Sequence, residues 1–90
     1  MFNVDISSEK MIVKGEFVVD SYFFDSSKYD YAFYLYKYEE KIDSKWYTDS
    51  MKVEFSIEDT QGDFYIKAFL RDKEDGSKRI FNSEKISINF

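Results

Sequence analysis

The stretch from Tyr29 to Tyr38, YDYAFYLYKY, decides the fold. A strand sends alternate side chains to opposite faces, and here both parities are aromatic. One carries Tyr31, Phe33 and Leu35 before turning charged at Lys37; the other carries Ala32, Tyr34, Tyr36 and Tyr38. If Tyr31, Phe33 and Leu35 face a core, three tyrosines stand in a row on the outer face. No helix template competes, because apolar residues never recur at i, i+3, i+4 and i+7 over three turns anywhere in the chain.

Period two recurs on both sides of this segment. Phe2, Val4 and Ile6 alternate with polar residues as a first strand, and Ser7 to Lys10 connect it onward. Met11 to Val13 and Phe17 to Phe24 read as a second strand region, with Gly15 marking a turn or bulge. Asp25, Ser26 and Ser27 form a loop. Asp30 to Glu39 is the third strand, Glu40 to Lys45 a turn, and Trp46 to Thr48 a short edge. Val53, Phe55 and Ile57 face inward from a strand over Met51 to Ile57, Glu58 to Gly62 turns, and Phe64, Ile66, Ala68 and Leu70 alternate again. Asp75-Gly76 supplies a hairpin turn, where glycine tolerates positive φ. Arg79 to Phe81 and, after a bulge or kink near Ser83, Lys85 to Phe90 complete the pattern. About seven short strands with turns between them predict an all-β sandwich of two antiparallel sheets. Its expected core is Val4, Val18, Tyr31, Phe33, Leu35, Val53, Phe55, Phe64, Ile66, Ala68 and Ile86.

Ninety residues without repeat or linker make one domain, residues 1–90. Apolar residues at 43% and aromatics at 21% supply a core, so the 34% of charged residues reads as a solvated surface. There is no cysteine, which removes disulfides and thiolate chemistry, and no histidine, which removes the commonest general base and transition-metal ligand. A net charge of -5 opposes nucleic acid and anionic membrane surfaces as partners. No apolar run of membrane-spanning length occurs, and MFNVDISSEK has no basic leader before an apolar region. The strand-like ending Ile86, Ile88, Phe90 reads as that of a domain excised from a larger protein.

The order Tyr31-x-Phe33-Tyr34-Leu35, then Trp46, an alternating strand, and Gly62-Asp63-Phe64-Tyr65-Ile66-Lys67-Ala68 resembles the bacterial triple-tyrosine, or three-Y, domain over about Tyr31 to Gly76. Phe64 stands where that family usually has tyrosine and lacks the hydroxyl that anchors a tyrosine corner. Glu58 to Gln61 stand where a proline is common. The resemblance implies an immunoglobulin-like or fibronectin type III-like sandwich serving as an accessory module of a larger bacterial protein, often extracytoplasmic. It implies a place beside the membrane in two-component sensors, or attachment to enzymes and surface proteins, and it brings no catalytic residues.

Trp46 reads as a core or partly buried residue. Asp72, Glu74 and Asp75 put three carboxylates beside Gly76, but their spacing fits no EF-hand loop, so a solvated hairpin tip is expected and no metal or cofactor. Glu39 and Glu40 are adjacent and would point to opposite faces, which rules out an acid/base pair across one substrate. No nucleophile has a base beside it in the pattern, so no enzyme is expected. In an immunoglobulin-like topology the third and sixth strands are neighbours. The outer parity of the sixth holds Tyr65, Lys67 and Phe69, so Tyr34, Tyr36, Tyr38, Tyr65 and Phe69 form the candidate interaction surface. Such a surface suits packing against a neighbouring domain or another protein, or stacking on a glycan. Cross-strand aromatic pairs worth about 0.2 to 1 kcal/mol each would also explain it without a ligand. The expected function is therefore a non-catalytic structural or interaction module of a bacterial surface or sensor protein, with an accessory carbohydrate-binding module as the alternative.

Overall fold

In a computed structural model, which describes residues 2–58 and 61–89, the alternating segments form eight strands. They are β1 (Phe2–Glu9), β2 (Ile12–Val19), β3 (Tyr29–Lys37), β4 (Glu40–Thr48), β5 (Lys52–Ser56), β6 (Gln61–Asp72), β7 (Lys78–Asn82) and β8 (Ile86–Asn89). A 3-10 turn at Ser26–Lys28 is the one helical element among the described residues, and none of their helices is long and apolar enough to cross a membrane. The predicted turn at Glu58 to Gly62 and the predicted strand end at Phe90 lie partly outside the described residues.

The strands make two antiparallel sheets, β1-β2-β5 and β4-β3-β6-β7, with β8 also paired to β6. The fourth strand joins the third rather than the fifth, so relative to an immunoglobulin constant domain it has switched sheets. β7 and β8 together occupy the last strand position. Lys67 faces Asn82 but Phe64 faces Ile86, one residue out of step. Ser83 fills the break, its N–H donating to the Ile66 carbonyl and its Oγ accepting from the Ile66 N–H, each at 2.8 Å.

The inward parities interlock as a single core of Val4, Val13, Phe17, Tyr31, Phe33, Leu35, Val53, Phe55, Ile57, Phe64, Ile66, Ala68, Leu70 and Ile88. Two expected members are corrected. Val18 is 40% exposed because Phe17 takes the inward position, opposite Val4. Ile86 is half-buried at the margin. Gly15 is neither turn nor bulge: it lies mid-strand between Ile6 and Val53, facing inward against Ile66 of the other sheet. The predicted second strand also ends early, at Val19, and Asp20 to Phe24 form a loop.

Tyr31 supplies the hydroxyl anchor that Phe64 lacks. Its ring is fully buried and its Oη donates to the Ser26 carbonyl at 3.0 Å, five residues upstream, which ties the loop before β3 to the core. Burial pushes the Tyr31 phenol up to about 12. Because the folded value lies above the ordinary value of 10.0, the neutral phenol favours the fold, and that contribution is complete below pH 10 and lost as pH rises to about 12. Tyr31→Phe should cost about 1 kcal/mol at neutral pH from the lost hydrogen bond, the Ser26 carbonyl keeping only the Tyr29 N–H. Urea titrations across this alkaline window should show the wild type losing stability more steeply than the variant; parallel losses would contradict the assignment.

The sandwich measures 41 × 22 × 18 Å. β1 begins at one end, where Phe2 packs on Phe24, and β8 finishes at the other, where Asn89 faces Gln61.

Candidate functional site

β3 and β6 pair in continuous register from Tyr29↔Asp72 to Lys37↔Phe64, and this register sets the outer face. With Tyr31, Phe33 and Leu35 locked inward, Tyr34 and Tyr36 point outward beside Lys67 and Tyr65, and Ala32 beside Phe69. Tyr36 and Tyr65 are direct cross-strand partners whose rings stack at 4.9 Å and 6°. Tyr34 meets Phe69 diagonally, edge to face at 4.8 Å. Four of the five candidate residues are thus brought together as two ring pairs.

Tyr38 is the exception. It sits in the two-residue turn joining β3 to β4 with φ 54, exposed, its N–H bonded to the Asp63 carbonyl at 2.8 Å. The strand ends at Lys37, so the alternation that put Tyr38 in the row stops one residue short of it.

Cations cover the rings. Lys41 Nζ lies 4.4 Å from the centroid of Tyr34, Lys67 Nζ 5.4 Å from Tyr36 and Lys85 Nζ 5.8 Å from Tyr65. Further along the face the Arg71 guanidinium lies 3.8 Å from the Tyr47 ring while bonding Asp30 Oδ2 at 2.8 Å. Burial raises the Tyr47 phenol above its ordinary value, with Arg71 acting in the opposite direction. Ala32 points outward and is nonetheless buried, so the ring layer has closed over the sheet. Tyr34, Tyr36, Tyr65 and Phe69 are themselves half-buried rather than open. Such cation–ring contacts contribute roughly 0.5 to 1 kcal/mol each at exposed sites.

Alternation alone missed two features, one on this surface and one in the loop after β2. β4 runs through the charged segment Glu40 to Lys45 where a turn was expected. As an edge strand it buries neither face, and it holds to β3 through its backbone, with a bulge at Ile42 and another where Trp46 and Tyr47 both oppose Ala32. That second bulge corrects the expected burial of Trp46, which is 68% exposed and packs only edge-on against Tyr47 at 5.5 Å. Tyr22 and Phe23 are fully exposed at the tip of the loop after β2, where an unbroken strand would have hidden one of them. Their signal was the flanking turn formers, Asp20-Ser21 before them and Asp25-Ser26-Ser27 after.

Two of the three carboxylates at the β6–β7 turn, Asp72 and Asp75, are taken up by the turn itself. Asp72 Oδ1 accepts from the N–H groups of Glu74 at 2.7 Å and Asp75 at 3.3 Å, and Asp75 Oδ1 accepts from Ser77 N–H at 2.8 Å. Those backbone and hydroxyl donors from Ser77 hold the Asp75 carboxyl below its usual range. Among the described residues no group of three or more Asp, Glu, His or Cys side chains is placed to hold a metal. No family model, curated protein or solved structure matches the chain.

Proposed function

We propose that this domain is a non-catalytic interaction module that spaces or docks neighbouring domains of a bacterial surface or sensor protein, and that it docks through the outer face of β4-β3-β6-β7. The observation that carries the docking reading is the layer of Tyr34, Tyr36, Tyr65 and Phe69, continuous with Tyr47 and Arg71. Tyrosine and arginine on a rigid, preformed sheet match the composition of protein contact surfaces. The bacterial, extracytoplasmic setting rests on the three-Y resemblance of the β3 and β6 segments.

Sugar stacking is the weaker use of this face. A sugar platform needs an aromatic face open to solvent, whereas Tyr36 and Tyr65 lie parallel at 4.9 Å and so overlap each other. Lysine ammonium groups stand over Tyr34, Tyr36 and Tyr65 as well. Hydroxyl-radical footprinting tests the docking reading. Tyr36, Tyr65 and Phe69 should oxidise several-fold more slowly in the intact parent protein than in the 90-residue chain alone. Equal rates in the two would overturn it.

A further inference from the structure

We propose that the partner seated on the ring-and-lysine face is a second copy of this chain, presenting the outer face of its β1-β2-β5 sheet. The inference rests on the docking reading above and names the occupant.

The two outer faces of the sandwich carry opposite charge. On β4-β3-β6-β7 the outward register positions and the adjoining β7–β8 connection hold Lys41, Lys67, Arg71, Lys78 and Lys85. The acids there are Asp30, bonded to Arg71, and Asp63, bonded to Ser87 Oγ. Lys41, Lys67, Lys78 and Lys85 make no ion pair with a carboxylate among the described residues; each rests over a ring instead. In a chain of net charge -5, this face is cationic.

The other sheet has the reverse arrangement. Its outward positions hold Asp5, Glu9, Glu16 and Glu54 against Lys14 and Lys52. Asp5 stands directly opposite Glu16, a like-charge pair that opposes the sheet. Across the next pair Lys52 faces Glu16 and Lys14 faces Glu54, with Lys14 also bonded to Glu9 at 2.9 Å, so four carboxylates stand against two lysines and the face stays net negative. A cleft of about 740 Å³ runs along this sheet, lined by Asp5, Glu16, Glu54, Lys14 and Lys52 and reaching Glu84 and Ile86 at the end of the other sheet. Lysines raised on an aromatic layer would meet a sheet face with four carboxylates to two lysines, so the charges of the two faces agree.

The geometry also fixes the symmetry. Two cationic faces repel, so a two-fold contact through that face is disfavoured. A contact between unlike faces leaves one of each open and adds further copies in a row. This head-to-tail contact makes a charge swap decisive. Lys41→Glu/Lys67→Glu reverses one face and Glu16→Lys/Glu54→Lys the other, all at solvent-facing positions. Sedimentation velocity of the wild-type chain up to about 1 mM should show concentration-dependent association. Each double variant alone should weaken it about tenfold or more, since like charges then meet. An equimolar mixture of the two should regain it, because each variant offers the other a complementary face. The neutral pairs Lys41→Ser/Lys67→Ser and Glu16→Gln/Glu54→Gln, checked by urea midpoint, give the same readout if a reversal impairs folding.

A monomeric wild type, or a mixture no more associated than its components, overturns the proposal. Loss of association in only one of the variants overturns it too, because the contact would then use a single face. If self-association fails while Tyr36, Tyr65 and Phe69 stay protected in the parent protein, the docking reading stands with a different occupant.

Discussion

Gly15→Ala should destabilise the fold, and Ile66→Val in the same molecule should recover part of the loss although it removes a buried methyl group. A Cβ at Gly15 would lie 2.5 Å from Ile66 Cδ1 and 3.1 Å from Val53 Cγ1, and Ile66 is fully buried. The near sheet cannot yield, because Gly15 is paired on both sides, to Ile6 and to Val53. Overpacking of this kind costs about 1 to 3 kcal/mol, and Gly15→Val should reach the top of that range or exceed it. Ile66→Val alone should cost about 0.5 to 1.5 kcal/mol. It deletes the atom that the added methyl group would strike, so the double variant should be more stable than Gly15→Ala by urea titration. Simple additivity of the two losses would show that the sheets are not in contact at this point.

Tyr34→Ser/Tyr36→Ser should leave the domain folded and lower its stability by about 1 to 2 kcal/mol, the sum of the ring pairs with Phe69 and Tyr65 and the lysine contacts. The limit follows from position: both side chains lie outside the core whose strand they share, and Tyr31, Phe33 and Leu35 keep the inward register. A β-strand with one face locked cannot slip by a single residue without exposing that whole set. Docking through the outer face should fall much further, because tyrosines in a desolvated contact are frequent hot spots. Unfolding of this variant in the absence of urea would mean that the outer rings act as core.

The face was legible where one parity of a strand is uniformly apolar. β3, β5 and β6 each alternate cleanly, so Phe33, Phe55 and Ile66 could be placed inside and Tyr34, Tyr36, Tyr65 and Phe69 outside from spacing alone. Where the pattern is silent, pairing decides. Phe17, Val18 and Val19 are all apolar, and only the register with β1 puts Phe17 opposite Val4 and turns Val18 out. β4 has no buried residue to announce it, since an edge strand needs only the backbone of its neighbour. The charge difference between the faces depends on register across seven strands, so the sequence offers no local sign of it. Trp46 was misplaced for a related reason: a bulge changes which residue faces which, and nothing in the order Lys45-Trp46-Tyr47 encodes it.

The most direct measurement is hydroxyl-radical footprinting of the parent protein carrying Tyr34→Ser/Tyr36→Ser, read at two phenylalanines. Phe33 reports on the core and Phe69 on the outer face. The expected result is that Phe33 stays unlabelled while Phe69, protected in the wild-type parent, becomes as reactive as in the isolated chain carrying the same two substitutions, which also lacks the Tyr34 ring against Phe69. Labelling of Phe33 would mean that the rings hold the fold together, and continued protection of Phe69 would mean that they serve sheet packing alone; either result contradicts a docking face.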